Sequence, residues 1–139
     1  IHVYIRYEIE KVIFSEKIKF QDIKSLWNSM YQENLNINLS NDTEGVLQDI
    51  HWYEGIFGYF PTYALGAMIS SQIKYNCPYY EEFLKKPEPE IIKNIANWLN
   101  KNVHQRASLY SSDEMLQSIS GEKLNPTYYS RHLKERFVK

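Results

Sequence analysis

At 139 residues, with 43% hydrophobic and 24% charged residues, the chain has the size and composition of one compact globular region. Sixteen basic and 17 acidic residues leave a net charge of −1, which argues against a surface built to grip nucleic acid by its phosphates. One cysteine, Cys77, excludes an internal disulfide and a cysteine-rich metal module. The longest stretch poor in charge, Ile50 to Gln72, is broken by Glu54 and carries glycine, proline and tyrosine, so no membrane span is expected.

The chain opens in helical register. Ile1, Ile5, Ile9, Val12 and Ile13 repeat at spacings of three and four, with no capping residue before them. This start suggests the C-terminal piece of a longer protein. Phe20, Ile23, Leu26, Trp27, Met30, Tyr31 and Leu35 make a second apolar stripe. The asparagines at 34, 36, 38 and 41, with Ser40, Asp42 and Thr43, compete for backbone hydrogen bonds and mark a loop. Gly45, Gly55, Gly58 and Pro61 interrupt the aromatic residues that follow, so no regular element is expected to span 45–61. Thr62 to Ile73 reads as a helix with small residues at Ala64, Gly66, Ala67, Ser70 and Ser71, suited to close packing on several sides. Pro87 and Pro89 stand at the start of a helix from Glu88 to Asn102, where a missing amide donor costs little. Ser111 or Ser112 caps a helix through Leu116 that Gly121 ends, and Asn125-Pro126 opens the last one, to Phe137. No alternating pattern persists, so the fold class is all-α, with residues 1–139 forming a single helical region.

Recognisable chemistry is sparse. His2, His51, His104 and His132 are too dispersed for a paired-histidine helix face, and no glycine-rich phosphate loop or nucleophile elbow is present. Cys77 reads as a small packed side chain, and no complete active site is apparent in this chain. The unusual segment is Gly45 to Tyr63, which gathers Gln48, Asp49, His51, Trp52, Tyr53, Tyr59 and Tyr63 among glycines. Tyrosine and tryptophan join an apolar body to a hydrogen-bonding tip, as substrate pockets require. A packed aromatic turn whose polar atoms satisfy buried backbone would use the same residues.

Gly45-x-x-Gln48-Asp49-x-His51-Trp52 resembles the G-x-x-Q-D-x-H-W signature of the carboxypeptidase Taq family of zinc metallocarboxypeptidases. Gly55-x-Phe57-Gly58-Tyr59-Phe60-Pro61-Thr62-Tyr63-x-Leu65-Gly66 is similar to that family's next segment, and Arg6-Tyr7-Glu8-Ile9-Glu10-Lys11, Leu26-Trp27-Asn28, Trp98-Leu99, His104 and Gly121-x-x-Leu124 follow its order. The resemblance implies the C-terminal quarter of a mostly helical, zincin-like enzyme, with the zinc-binding HExxH helix, its general-base Glu, a later Glu ligand and a substrate-holding Arg motif all upstream of Ile1. Zinc, or another divalent metal, is then expected in the parent enzyme and not in this chain alone. Ala107 stands where a glycine is expected after His104, and Ala67 where an Asn-like residue is expected, departures that bear on helix packing.

The same resemblance implies a homodimer acting on peptides with free C-termini; a cytoplasmic location is expected, and charge and composition lead to no expected nucleic-acid or membrane partner. Among site residues, His51, Tyr59 and Tyr63 are expected to donate hydrogen bonds to the developing oxyanion or to the substrate's terminal carboxylate. Asp49 is a candidate to orient His51, with Gln48 and Trp52 as supports, while Arg6 and His104 are assigned to structure. The competing function is a non-catalytic helical module whose aromatic loop docks a partner peptide.

Overall fold

The first helix, α1 (His2–Phe14), buries Ile5, Ile9 and Glu10, one side of the stripe that the spacing predicts. The second, α2 (Ile23–Leu35), buries Trp27 and Tyr31 and ends on Asn36, whose left-handed φ of 55° suits an asparagine. A computed structural model describes residues 1–15 and 18–138, and among these the elements are helical, with no strand. The one-turn helix α3 (Ile50–Tyr53) and α4 (Pro61–Asn76) follow. Beyond them lie α5 (Tyr80–Lys85), α6 (Pro89–Asn102), α7 (Ser112–Ser120) and α8 (Thr127–Phe137), with 3₁₀ turns at Phe20–Asp22, Val46–Gln48 and His104–Arg106. The backbone divides into two compact units, Ile1–Ala64 and Leu65–Lys139.

In the first unit, Ile5 and Ile9 pack against Trp27 and Tyr31, surrounded by Ile13, Leu26, Met30, Val46 and Trp52. The Trp27 ring lies parallel to Tyr31 at 5.0 Å between centroids and meets the edge of Trp52 at 5.5 Å, separations at which aromatic pairs attract beyond their area burial. Phe20 departs from the predicted stripe: it sits in the 3₁₀ turn before α2 and is 85% exposed. An apolar cleft of about 520 Å³ opens in this unit, walled by Ile13, Phe20, Val46, Leu47, Trp52 and Phe57, with Asp49 in its lining.

In the second unit, local signals set the helix ends. Pro89 occupies the first turn of α6. Ser111 accepts from the Glu114 amide while the Glu114 carboxylate accepts from the Ser111 amide, a reciprocal cap for α7. Gly121 closes that helix at φ 79°, and the Asn125 side chain accepts from the Thr127 amide at the start of α8. Gln72 of α4 is fully buried and threads the following turn together: it donates to Ser120 Oγ at 2.7 Å and the Lys123 carbonyl at 3.0 Å, and accepts from the Asn125 amide at 2.9 Å. The α4 helix as a whole is less enclosed than its small residues suggest, since only Ser71 and Gln72 are buried.

Ala107 explains its own departure from the family pattern. It follows the 3₁₀ turn at His104–Arg106 with φ 45° and ψ −129°, a conformation glycine adopts freely and alanine does not. The departure therefore strains the backbone rather than altering helix packing. Relief of strain of about 1–3 kcal/mol is offset by roughly 0.5–1 kcal/mol of extra chain entropy lost by glycine. Ala107→Gly is accordingly expected to stabilise the protein by about 1 kcal/mol in urea unfolding, and a lowered midpoint would refute the strain.

Candidate active site

The loop before α3 places three chemically useful groups in line. Asp49 caps α3, its Oδ1 accepting from the His51 amide at 3.4 Å and from His51 Nδ1 at 2.9 Å. With its proton on Nδ1, the neutral imidazole presents an unprotonated Nε2, and this nitrogen accepts from the Tyr63 hydroxyl at 2.9 Å. Tyr59 stacks against the imidazole at 5.9 Å and meets Tyr63 edge-on at 5.5 Å, while Phe60 lies 4.8 Å from the His51 ring. A glycine at 58, with φ 75°, allows the chain to turn Tyr59 back onto His51. Asp49 is 5% exposed, whereas Tyr59 and Tyr63 are about half exposed at 47% and 49%. The hydrogen-bonded chain thus runs from a buried carboxylate to an accessible phenol.

The expected site residues are partly united by this arrangement. Asp49, His51, Tyr59 and Tyr63 form one cluster. Trp52 supports it from behind, donating from Nε1 to Glu10 Oε1 at 2.9 Å. Gln48 does not join: its side-chain amide donates to the Glu44 carbonyl at 2.7 Å and holds the loop's own backbone.

Two residues without an expected site role turn out to hold the loop. Arg6 bonds Asp49 Oδ2 through Nε and donates from Nη1 to the Tyr31 hydroxyl and the His2 carbonyl, each at 3.1 Å. Glu10, one turn further along α1 and 4% exposed, accepts from Trp52 and also from the Gly58 amide at 3.1 Å. Their signal in the sequence was two charges four apart, each next to an isoleucine of the buried stripe. Helical periodicity marks such positions but not what they meet.

The balance at Asp49 is a competition. Burial pushes its carboxyl up, but hydrogen bonds from Arg6 and His51, with the Arg6 charge, outweigh it and hold the group below the ordinary aspartate value. The unfolded chain therefore takes up this proton more readily than the folded one. The stabilisation is complete above the unfolded pKa and disappears as pH falls through the lower, folded value. The stability difference between wild type and Asp49→Asn is expected to narrow as pH drops below about 4. Urea unfolding at several acidic pH values checks this, and a gap that widens on acidification would contradict it.

Among the described residues no three His, Cys, Asp or Glu side chains are grouped to hold a metal ion, and no helix is long and apolar enough to cross a membrane. What the described residues present instead is an acid–imidazole–phenol chain on a helical scaffold. Residues 1–137 match the family described as carboxypeptidase Taq (M32) metallopeptidase, and the chain belongs to that family. It is 40% identical to Carboxypeptidase 1 of Bacillus subtilis (strain 168) over 99% of its own length and 28% of the relative's. It is 36% identical to Thermostable carboxypeptidase 1 of Pyrococcus furiosus, again over 99% and 28%. The solved structure of Trypanosoma cruzi metallocarboxypeptidase 1 superposes with a TM-score of 0.86 at 38% identity, covering 99% of this chain and 28% of that one. The chain therefore spans little more than a quarter of the length of these relatives.

Proposed function

We propose that these residues form the C-terminal part of a zinc-dependent carboxypeptidase that releases C-terminal residues from peptides, and that His51 and Tyr63 bind and polarise the substrate there. The observation that carries this reading is the Asp49–His51–Tyr63 chain, buried at one end and accessible at the other, in a member of a metallopeptidase family. The described residues do not fit a metal-ligand set, and no step below runs through a metal.

The chemistry available to this chain is donation to an oxygen that gains negative charge, either the scissile carbonyl or the substrate's terminal carboxylate. When His51 carries a second proton, Nε2–H donates to the Tyr63 oxygen and releases the phenolic proton to point at the substrate. Asp49 stabilises the imidazolium that results, as an acid behind a catalytic histidine does. The heavy atoms are already in place, so only the direction of the His51–Tyr63 hydrogen bond has to change when the charge develops. Tyr59 and Phe60 flank the imidazole and limit its rotation.

Cytoplasmic location and homodimeric assembly complete the proposal. The unpaired, buried Cys77 suits a reducing compartment. Exposed Phe20, Ile50 and Leu109, and the apolar cleft, offer surface for the rest of the protein or a second subunit. A peptide-docking module is the weaker reading, since the chain belongs to a metallopeptidase family.

The complete protein is expected to release the last residue of an N-blocked dipeptide but not of its C-terminal amide. Chelation should abolish the release and zinc restore it. A metal-loaded protein that binds both peptides and cleaves neither would sink the proposal.

A further inference from the structure

We infer that Arg6 is a positioning residue for His51: by holding Asp49 as a buried, oriented carboxylate, it selects the imidazole tautomer with the proton on Nδ1 and so sets the direction of the hydrogen bond to Tyr63. This rests on the reading of His51 given above and deepens it by assigning the control of that residue to α1.

The two oxygens of Asp49 are divided between partners. Oδ2 faces Arg6, while Oδ1 faces the amide and the ring nitrogen of His51. An enclosed carboxylate without a cation beside it tends to recover a proton, because burial disfavours its charge. A protonated Asp49 can donate to Nδ1, which moves the imidazole proton to Nε2 and makes Nε2 the donor to Tyr63. With Arg6 in place, Asp49 is an obligate acceptor, Nδ1 carries the proton, and the Tyr63 hydroxyl donates to Nε2. One guanidinium thus decides the polarity of bonds that end at the accessible phenol, 57 residues further along the chain (63 − 6).

Arg6 is itself tightly constrained, as a positioning group must be. Its guanidinium carbon lies 4.9 Å from the Trp27 ring centroid and 5.5 Å from that of Phe60, and its side chain is only 12% exposed. Nη1 is tied to Tyr31 and to the His2 carbonyl. Phe60 in turn lies against His51, so the cation is fixed against Asp49 directly and is separated from His51 by that ring. A lysine keeps the charge but has no planar fork to satisfy Asp49 and Tyr31 together.

The test is a double-mutant cycle in the complete, metal-loaded protein, with kcat/KM measured for wild type, Arg6→Gln, His51→Ala and the double variant. Arg6→Gln is expected to lower kcat/KM by about ten- to a hundredfold, because an Asp49 that has recovered a proton no longer orients the Nδ1–H tautomer or stabilises the imidazolium from which the Tyr63 hydroxyl is released to the substrate. On the His51→Ala background the same change is expected to cost less than about twofold, because the residue through which Arg6 acts is gone. Arg6→Lys is expected to recover part of the loss. If Arg6→Gln fails to fold, Asp49→Asn enters the same cycle, replacing the obligate acceptor by a near-isosteric amide. An equal loss on both backgrounds means a merely structural role and overturns the inference. If His51→Ala alone retains the wild-type rate, it is the reading of His51 that falls. The ¹⁵N shifts of the His51 ring then decide the inference by themselves: a tautomer change in Arg6→Gln sustains it and unchanged shifts overturn it.

Discussion

His51→Ala in the complete enzyme is expected to lower turnover by on the order of a hundred- to a thousandfold, about 3–4 kcal/mol of transition-state stabilisation, while leaving metal content and helicity intact. The ring is held by Asp49 on one side and Tyr63 on the other, and its removal leaves the backbone amide at 51 capped by Asp49. Kinetics separate the two tasks open to it. A loss confined to KM means that His51 holds the terminal carboxylate in the ground state, and a loss in kcat means that it meets the developing oxyanion. Tyr63→Phe is expected to show a smaller defect of the same kind, because the ring still packs edge-on to Tyr59 and His51 while the hydroxyl is lost. Full activity in His51→Ala with a lowered melting temperature would identify the cluster as packing alone.

Trp27→Ala is expected to destabilise the protein by about 3–5 kcal/mol, in the range for removing a large aromatic side chain from a core. Trp27 is wholly buried, stacks on Tyr31, meets Trp52 and lies under the Arg6 guanidinium. Folded domains hold only about 5–15 kcal/mol in reserve. The loss should extend to activity, because Trp52 and Arg6 would both lose a wall that orients them. Trp27→Phe separates volume from polarity. The indole Nε1 has no hydrogen-bond partner among the described residues, so phenylalanine sacrifices volume alone and is expected to cost nearer to 1–2 kcal/mol. Urea midpoints of the two variants check the ordering, and equal losses would show that the indole nitrogen matters after all.

Much of the helical architecture was legible because helix ends obey local rules. The Ser111–Glu114 cap, Gly121, Pro89 and Asn125 all act within four residues of the ends they define, and the structure places them there. Asp49 and His51, two apart, were an available pair for the same reason, since a loop residue bonds most easily to its near neighbours. The family, too, was carried by contiguous motifs. The irregular run at 45–61 contains only a 3₁₀ turn and the single turn α3, in keeping with its glycines.

What depended on tertiary packing was which of these local features meet. Stripe periodicity includes Phe20, yet the chain turns before α2 and leaves that ring in solvent. The order of residues in α1 predicts a buried face and says nothing of what covers it. Only the packing of α1 against the loop brings Arg6 to Asp49 and Glu10 to Trp52 and Gly58. These bonds span 43, 42 and 48 residues. The left-handed backbone at Ala107 was equally hidden, because the strain is a property of the path between α6 and α7 and not of alanine. Sequence by itself therefore determined the longer helices, several of their ends and the position of the aromatic loop, through interactions within a few residues, while the short α3 and α5 carried no such signal. The tertiary structure decided how that loop is held, because a buried charge acquires its partner only when distant segments are packed together.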